Sequence, residues 1–281
     1  MFGGAIFATD LPSWRPHLDV WIVLSAAFVG YLVLITRWAP VTGPERLSAV
    51  WSRRQQLACL AAFGLLWLGA DWPIHDVAEE RMYSVHMLQH LLFTQLAAPL
   101  LLLGTPGWFI VRFARRWSIL PFLKGMNRFF PALLLHSTMV AVSHIPWWVE
   151  TSLSNAWFHA FAHFWLFTAA LLVWLPIASR ASALPRLDPL PRIALIFLLG
   201  VMPTLPATWL AYAENPVYEG YAIRPKLWGW TAMDDQQMAA LVMKTAAGAI
   251  GFLLIAVIFF RWAGGEERRS RTAKGLAWQD R

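Results

Sequence analysis

Cysteine is all but missing from this chain of 281 residues. Cys59 stands alone, so no disulfide can close within the chain and no CxxC pair exists to hold a metal or a redox couple. Charge is scarce too: Asp, Glu, Lys and Arg make up 14% of the residues, against about 25% in soluble domains, while 58% are hydrophobic. A soluble globular domain is excluded and an integral membrane protein is expected. No HExxH signature of a zinc hydrolase occurs. No internal repeat, low-complexity tract or linker divides the chain, so one membrane domain over 1–281 is expected. The first residues lack the basic start, short apolar core and small-residue cleavage site of a signal peptide, so the first apolar segment is expected to stay as an anchor.

What the sequence does have is apolar length. Windows of roughly 20 residues, enough to cross a bilayer, lie near 18–36, 56–73, 84–103, 130–148, 156–178, 191–211 and 236–261. The expected fold class is therefore all-α, a polytopic bundle of seven transmembrane helices. Its 18 Trp and 18 Phe suit aromatic belts at two membrane interfaces. Basic residues gather in alternate connectors: Arg37, Arg46, Arg53 and Arg54; then Arg112, Arg115, Arg116, Lys124 and Arg128; then Arg180, Arg186 and Arg192. Arg261 and the tail 262–281 add to them, the tail with Arg268, Arg269, Arg271, Lys274 and Arg281. The positive-inside rule makes that side cytoplasmic, with the N-terminus outside and the C-terminus inside. The net charge of +7 is thus a topological signal, and no nucleic-acid partner is expected. The opposite rim is acidic, with Asp10, Asp19, Asp71, Asp76, Glu79, Glu80, Glu150, Glu214, Glu219, Asp234 and Asp235, a charge distribution that attracts cations. Trp108 to Trp117 puts Arg112, Arg115 and Arg116 opposite aromatics and is expected to lie along the inner membrane surface.

Histidine carries the chemistry. Ionisable groups at membrane depth cost free energy and are functional candidates by default. The third span holds His86 and His90, and the fifth holds His159 and His163. A spacing of four puts each pair on one helix face, one turn apart, the geometry two metal ligands need. Below His90 come Thr94, Ala97 and Ala98, small residues that turn this face into the bundle. His144 approaches the outer end of the fourth span, and Asp234, Asp235 and Met238 open the seventh. At about 1.5 Å per residue these side chains share one layer near the outer boundary, as a metal or haem site requires. Imidazole suits copper, zinc, nickel and iron, and thioethers such as Met82, Met87 and Met238 shift the preference toward Cu(I). The candidate ligands are His86, His90, His144, His159, His163, Asp235 and Met238, with copper the expected ion. His75 reads as an entry ligand, His136 as an inner step or a structural hydrogen bond, and His17 as interfacial.

Lys244, halfway down the last span, raises the thought of a retinal Schiff base. The third span offers no Asp or Glu as counter-ion, so that reading falls away, and the Gly248–Gly251 stripe beside the lysine points to close packing with the ammonium bonded inside the bundle.

These residues together resemble the multi-spanning CtaG family of cytochrome c oxidase assembly proteins. The matching blocks are His86-Met-Leu-Gln-His90 with Ala98-Pro-Leu and Leu103-Gly-Thr-Pro106; His144-Ile-Pro146; His159 and His163 leading to Phe167 and Trp174; and Asp235-Gln236 with Met243. The likeness runs over about residues 20–262. It implies a bacterial inner-membrane protein that helps mature a haem–copper oxidase by handling copper, without catalytic turnover, with an oxidase subunit and a periplasmic copper donor as partners. Two positions depart from the family: Lys244 stands where an aromatic Trp is usual, and the acid is doubled as Asp234-Asp235.

Two other classes fit a histidine-rich layer. A b-type cytochrome would clamp haem iron between histidines of two helices, although adjacent HxxxH pairs crowd one level more than haem ligation uses. A zinc-dependent intramembrane hydrolase would use three histidines and a water. It lacks a clear general base, because Asp234 and Asp235 sit at the rim.

Overall fold

A computed structural model describes residues 11–40 and 44–279, and side chains except those of 44–46 and 272–279. Asp10 and Arg281, assigned above to the outer rim and the tail, lie outside the described residues, as do the side chains of Arg46 and Lys274. Among the described residues every regular element is helical. In chain order these are α1 (Leu18–Trp38), α2 (Pro44–Val50), α3 (Arg53–Ala70), α4 (Ile74–Glu80), α5 (Tyr83–Leu91), a π-helical turn (Leu92–Ala97) and α6 (Ala98–Gly104). Then come α7 (Gly107–Arg116), α8 (Leu120–Met126), α9 (Phe129–Ser143), α10 (Pro146–Ser154), α11 (Ala156–Ala178), α12 (Pro189–Val201) and α13 (Thr204–Tyr212). The short α14 (Glu219–Ala222) and a 3₁₀ turn (Leu227–Gly229) precede α15 (Ala232–Gln279).

Five helical stretches are long and apolar enough to cross a membrane, or up to seven if each of two bent pairs is one span. The bent pairs are α3 with α4, at 40°, and α9 with α10, at 66°. The second bend has a local cause. Pro146 disfavours helical backbone at Ile145, which is extended at ψ 129°, so the fourth apolar window stops at Ser143 and does not run on to residue 148. The sixth window, by contrast, forms one candidate span over Pro189–Tyr212, in which Met202 and Pro203 keep helical backbone where α12 gives way to α13.

The third span, Tyr83–Gly104, stays continuous by a different device. Pro99 has no N–H to offer the carbonyl four residues back, and the helix widens just above it: Ala98 N–H reaches back to Phe93 O, five residues away. This leaves Thr94 O free, and Trp174 Nε1–H donates to it at 2.8 Å. A sequence-encoded widening of α5 thereby becomes an anchor for α11. Gly104, at the far end, is where α6 meets α3 closely enough that a Cβ would lie 2.6 Å from Cys59 N.

α15 spans 48 residues, about 70 Å at 1.5 Å per residue, against a hydrocarbon core of about 30 Å. Its first half packs on α5, α12 and α13; its second half carries Arg261, Arg268, Arg269 and Arg271 beyond the bundle. Two packing regions result. Near the basic connectors, Ala98, Ala132, Ala170, Ala178 and Leu195 form an apolar core, with the small side chains that let membrane helices approach. At the other end, Tyr83, Met87, Tyr218, Tyr221 and Met243 form a core with polar tips, and there the histidines gather.

Candidate metal site

α5, α11 and α15 all start at this second end and α9 finishes there, so their terminal turns converge. Thr94, Ala97 and Ala98 are buried, in keeping with α5 turning its histidine face inward. His86 and His90 lie with ring centroids 4.2 Å apart. His163 of α11 closes on them at 5.3 Å from His90 and 6.0 Å from His86. One donor atom from each of His86, His90 and His163 falls within 4.8 Å of the others, close enough to hold one ion. Nε2 of His163 is buried without a hydrogen-bond partner. A buried, unpaired ring nitrogen aimed among other imidazoles is the donor a metal ion satisfies.

The same helices form a second group. His159, one turn above His163 at 4.5 Å between ring centroids, meets His75 and Glu79 of α4, again with one donor atom from each within 4.8 Å. Glu79 joins the two groups: Oε1 accepts from His86 Nδ1–H at 2.9 Å, and Oε2 lies 3.4 Å from His159 Nδ1. Bonding through Nδ1 leaves His86 Nε2 as the free donor, the orientation a carboxylate imposes on a metal-binding histidine.

Asp235 does different work. Its carboxylate accepts Tyr83 N–H at 2.7 Å and Ser84 N–H at 2.9 Å. Those are orphan donors at the start of α5, where negative charge is also favoured by the helix dipole. Its third partner is Lys226, 3.1 Å away, with both side chains under 5% exposed. Burial pushes the Lys226 ammonium below its ordinary range, and the Asp235 carboxylate holds it up in opposition. The ammonium also donates to Arg81 O at 2.8 Å and Tyr221 O at 2.7 Å. With its lone pairs so engaged, Asp235 fixes the register of α5 against α15.

His144 and Met238 stand outside both groups. His144 Nδ1 bonds to Val140 O at 2.7 Å and lies 3.1 Å from Ser143 Oγ, while its Nε2 is buried without a partner. It lines a cavity with His90, His136, Met139 and Met243. The Tyr218 hydroxyl, kept protonated by burial that pushes its pKa up to about 12, donates to His144 O at 3.0 Å. Met238 is half-buried on α15 and lines neither cavity beside the histidines. His136 bonds to Leu199 O at 2.9 Å. Lys244 faces outward and bonds Thr204 of α13, so its ammonium is on the periphery of the bundle. Of the glycines beside it, Gly251 packs against Ile196 while Gly248 meets nothing within 4 Å.

Glu79, and its pairing with His75 on α4, are what the sequence reading missed. The stretch Ile74-His-Asp-Val-Ala-Glu-Glu80 reads as acidic rim, yet His75 and Glu79 at a spacing of four share one helix face, the same signal that marks the two histidine pairs. α4 is held over the site by its neighbours: Arg224 donates to Glu79 O, and the Tyr221 hydroxyl to Ala78 O at 3.0 Å.

Fold and site together define a polytopic helical membrane protein with imidazoles clustered beneath one end of the bundle. Residues 29–264 match the family described as cytochrome c oxidase caa3 assembly factor (Caa3_CtaG). The chain belongs to that family. No curated protein and no solved structure matched it.

Proposed function

We propose that this assembly factor takes up copper at His86, His90 and His163, near the periplasmic face, and passes it to a haem–copper oxidase subunit docked in the membrane. The observation that carries the reading is the meeting of three imidazoles from two helices, one with a buried and unpartnered Nε2, inside a chain whose family assembles cytochrome c oxidase. Copper is the cargo. An all-imidazole set suits it, and Glu79 orients His86 from behind. His159 lies one turn outward, Asp235 positions α5, and His144 and Met238 support the pocket without being among the closest donors. A periplasmic donor supplies the ion and the chain sits in the bacterial inner membrane; the bias of basic residues supports an N-terminus outside and a C-terminus in the cytoplasm.

Haem fits poorly. Ring centroids 4.2–6.0 Å apart in a group of three leave no slot for a planar macrocycle. Three histidines would also suit zinc, but hydrolysis needs a free base, and both oxygens of Glu79 face imidazoles. Ligand exchange requires no turnover, and the proposed role is non-enzymatic.

The test is the copper content of detergent-purified protein after loading. The expected result is that His86→Ala with His90→Ala abolishes binding at this triad. Copper retained unchanged by that variant would reject the assignment.

A further inference from the structure

The proposal above assigns no ion to the second group, His75, Glu79 and His159, although Glu79 orients His86. This group is not a repetition of the triad, since it mixes two imidazoles with a carboxylate and draws on α4. Within ion-pair distance the Glu79 carboxylate is met by imidazoles and by no lysine or arginine among the described residues. One donor atom from each of His75, Glu79 and His159 lies within 4.8 Å of the others, so a single cation between them would meet all three. The rings also form a continuous series. His17, whose Nε2 lies 3.0 Å from Asp76 Oδ2, is edge-on to His75 at 5.1 Å, and His75 is 5.6 Å from His159. From there the series passes one turn down α11 to His163 and on to His90.

We infer that His75, Glu79 and His159 form a second cation site in series with the triad, a station at which a first-row transition-metal ion is held before it moves inward. The inference rests on the copper-handling reading of the inner triad. A mixed nitrogen and oxygen set is harder than three imidazoles and suits a divalent ion, while three neutral imidazoles suit the same metal without added charge. Glu79 serves both stations: Oε2 faces the outer donors while Oε1 orients His86. Transfer is ligand exchange, in which His163 replaces His75 as a partner of the ion. No electron moves and no covalent bond within the protein changes.

Zinc is a redox-inert probe for both donor sets, because two histidines with a glutamate and three histidines are each known ligand sets for that ion. Zinc per chain would be counted at saturation on the full-length protein in detergent. The expected values are two ions in the unaltered chain, one in His75→Ala and one in His86→Ala with His90→Ala. The ion that each variant keeps reports that its fold survives, and His75→Gln, which keeps a polar side chain, is expected to match His75→Ala. Two ions in either His75 variant, or one ion in the unaltered chain that both His75 variants keep, would overturn the outer station. One ion in the unaltered chain that the His86/His90 variant keeps and His75→Ala loses would instead reject the inner triad and leave the outer group standing.

Discussion

The two ends of the bundle are held together by different physics. At the basic end, helices meet through alanines and leucines, such as Ala132, Ala170 and Leu195. Lipid is as apolar as those side chains, so close packing supplies the association. At the histidine end, buried polar groups lock elements to one another: Asp235 with Tyr83, Ser84 and Lys226, and Glu79 with His86 and His159. An apolar end tolerates small shifts at modest cost. A polar end, where each unpaired group is expensive in low dielectric, specifies position, and that is what several donor atoms around one ion demand.

The largest effect that would sharpen this contrast is loss of the ion with the fold intact. Copper titration of His86→Ala with His90→Ala should show affinity at the triad reduced by more than about a thousandfold, while thermal unfolding in detergent without metal should change little. Next comes Asp235→Ala, which strands Lys226 as an uncompensated buried charge and opens the first turn of α5. About 3–5 kcal/mol of destabilisation is expected, read as a lower unfolding temperature. A variant as stable as the unaltered chain would break the claim that polar contacts set this end. Glu79→Gln keeps the size of the side chain but weakens its hold on His86; a drop of about 10–100-fold in affinity at the triad is expected from loss of an orienting carboxylate. The smallest effect belongs to the apolar end. Leu195→Ala should cost roughly 1–2 kcal/mol through the cavity it leaves, since lipid and protein interior solvate leucine alike, and copper affinity should stay as it was.

Legibility in the sequence followed the same divide. The fifth span is expected over 156–178 and runs from Ala156 to Ala178, because a long apolar run needs no information from elsewhere in the chain. The burial of Thr94 and Ala97 followed from helical spacing alone. Breaks were harder: Ile145-Pro146 bends a window that hydropathy averages across. The HxxxH spacing marked both pairs as metal-suited, but it could not tell that α5 gives both rings to one group while α11 divides His159 from His163 between two. Asp235 is the clearest case. An acid at the start of α15 reads as a candidate ligand, and only the packing of α15 against α5 reveals that it caps α5.

X-ray absorption on the copper-loaded protein tests the central claim most directly, because the scattering of imidazole rings around copper is distinctive. The account predicts a nitrogen shell with imidazole scattering in His75→Ala, where the triad alone is left to hold the ion, and its loss when His86→Ala and His90→Ala are added to that variant. A shell dominated by sulfur, or imidazole scattering unchanged by that addition, would contradict it.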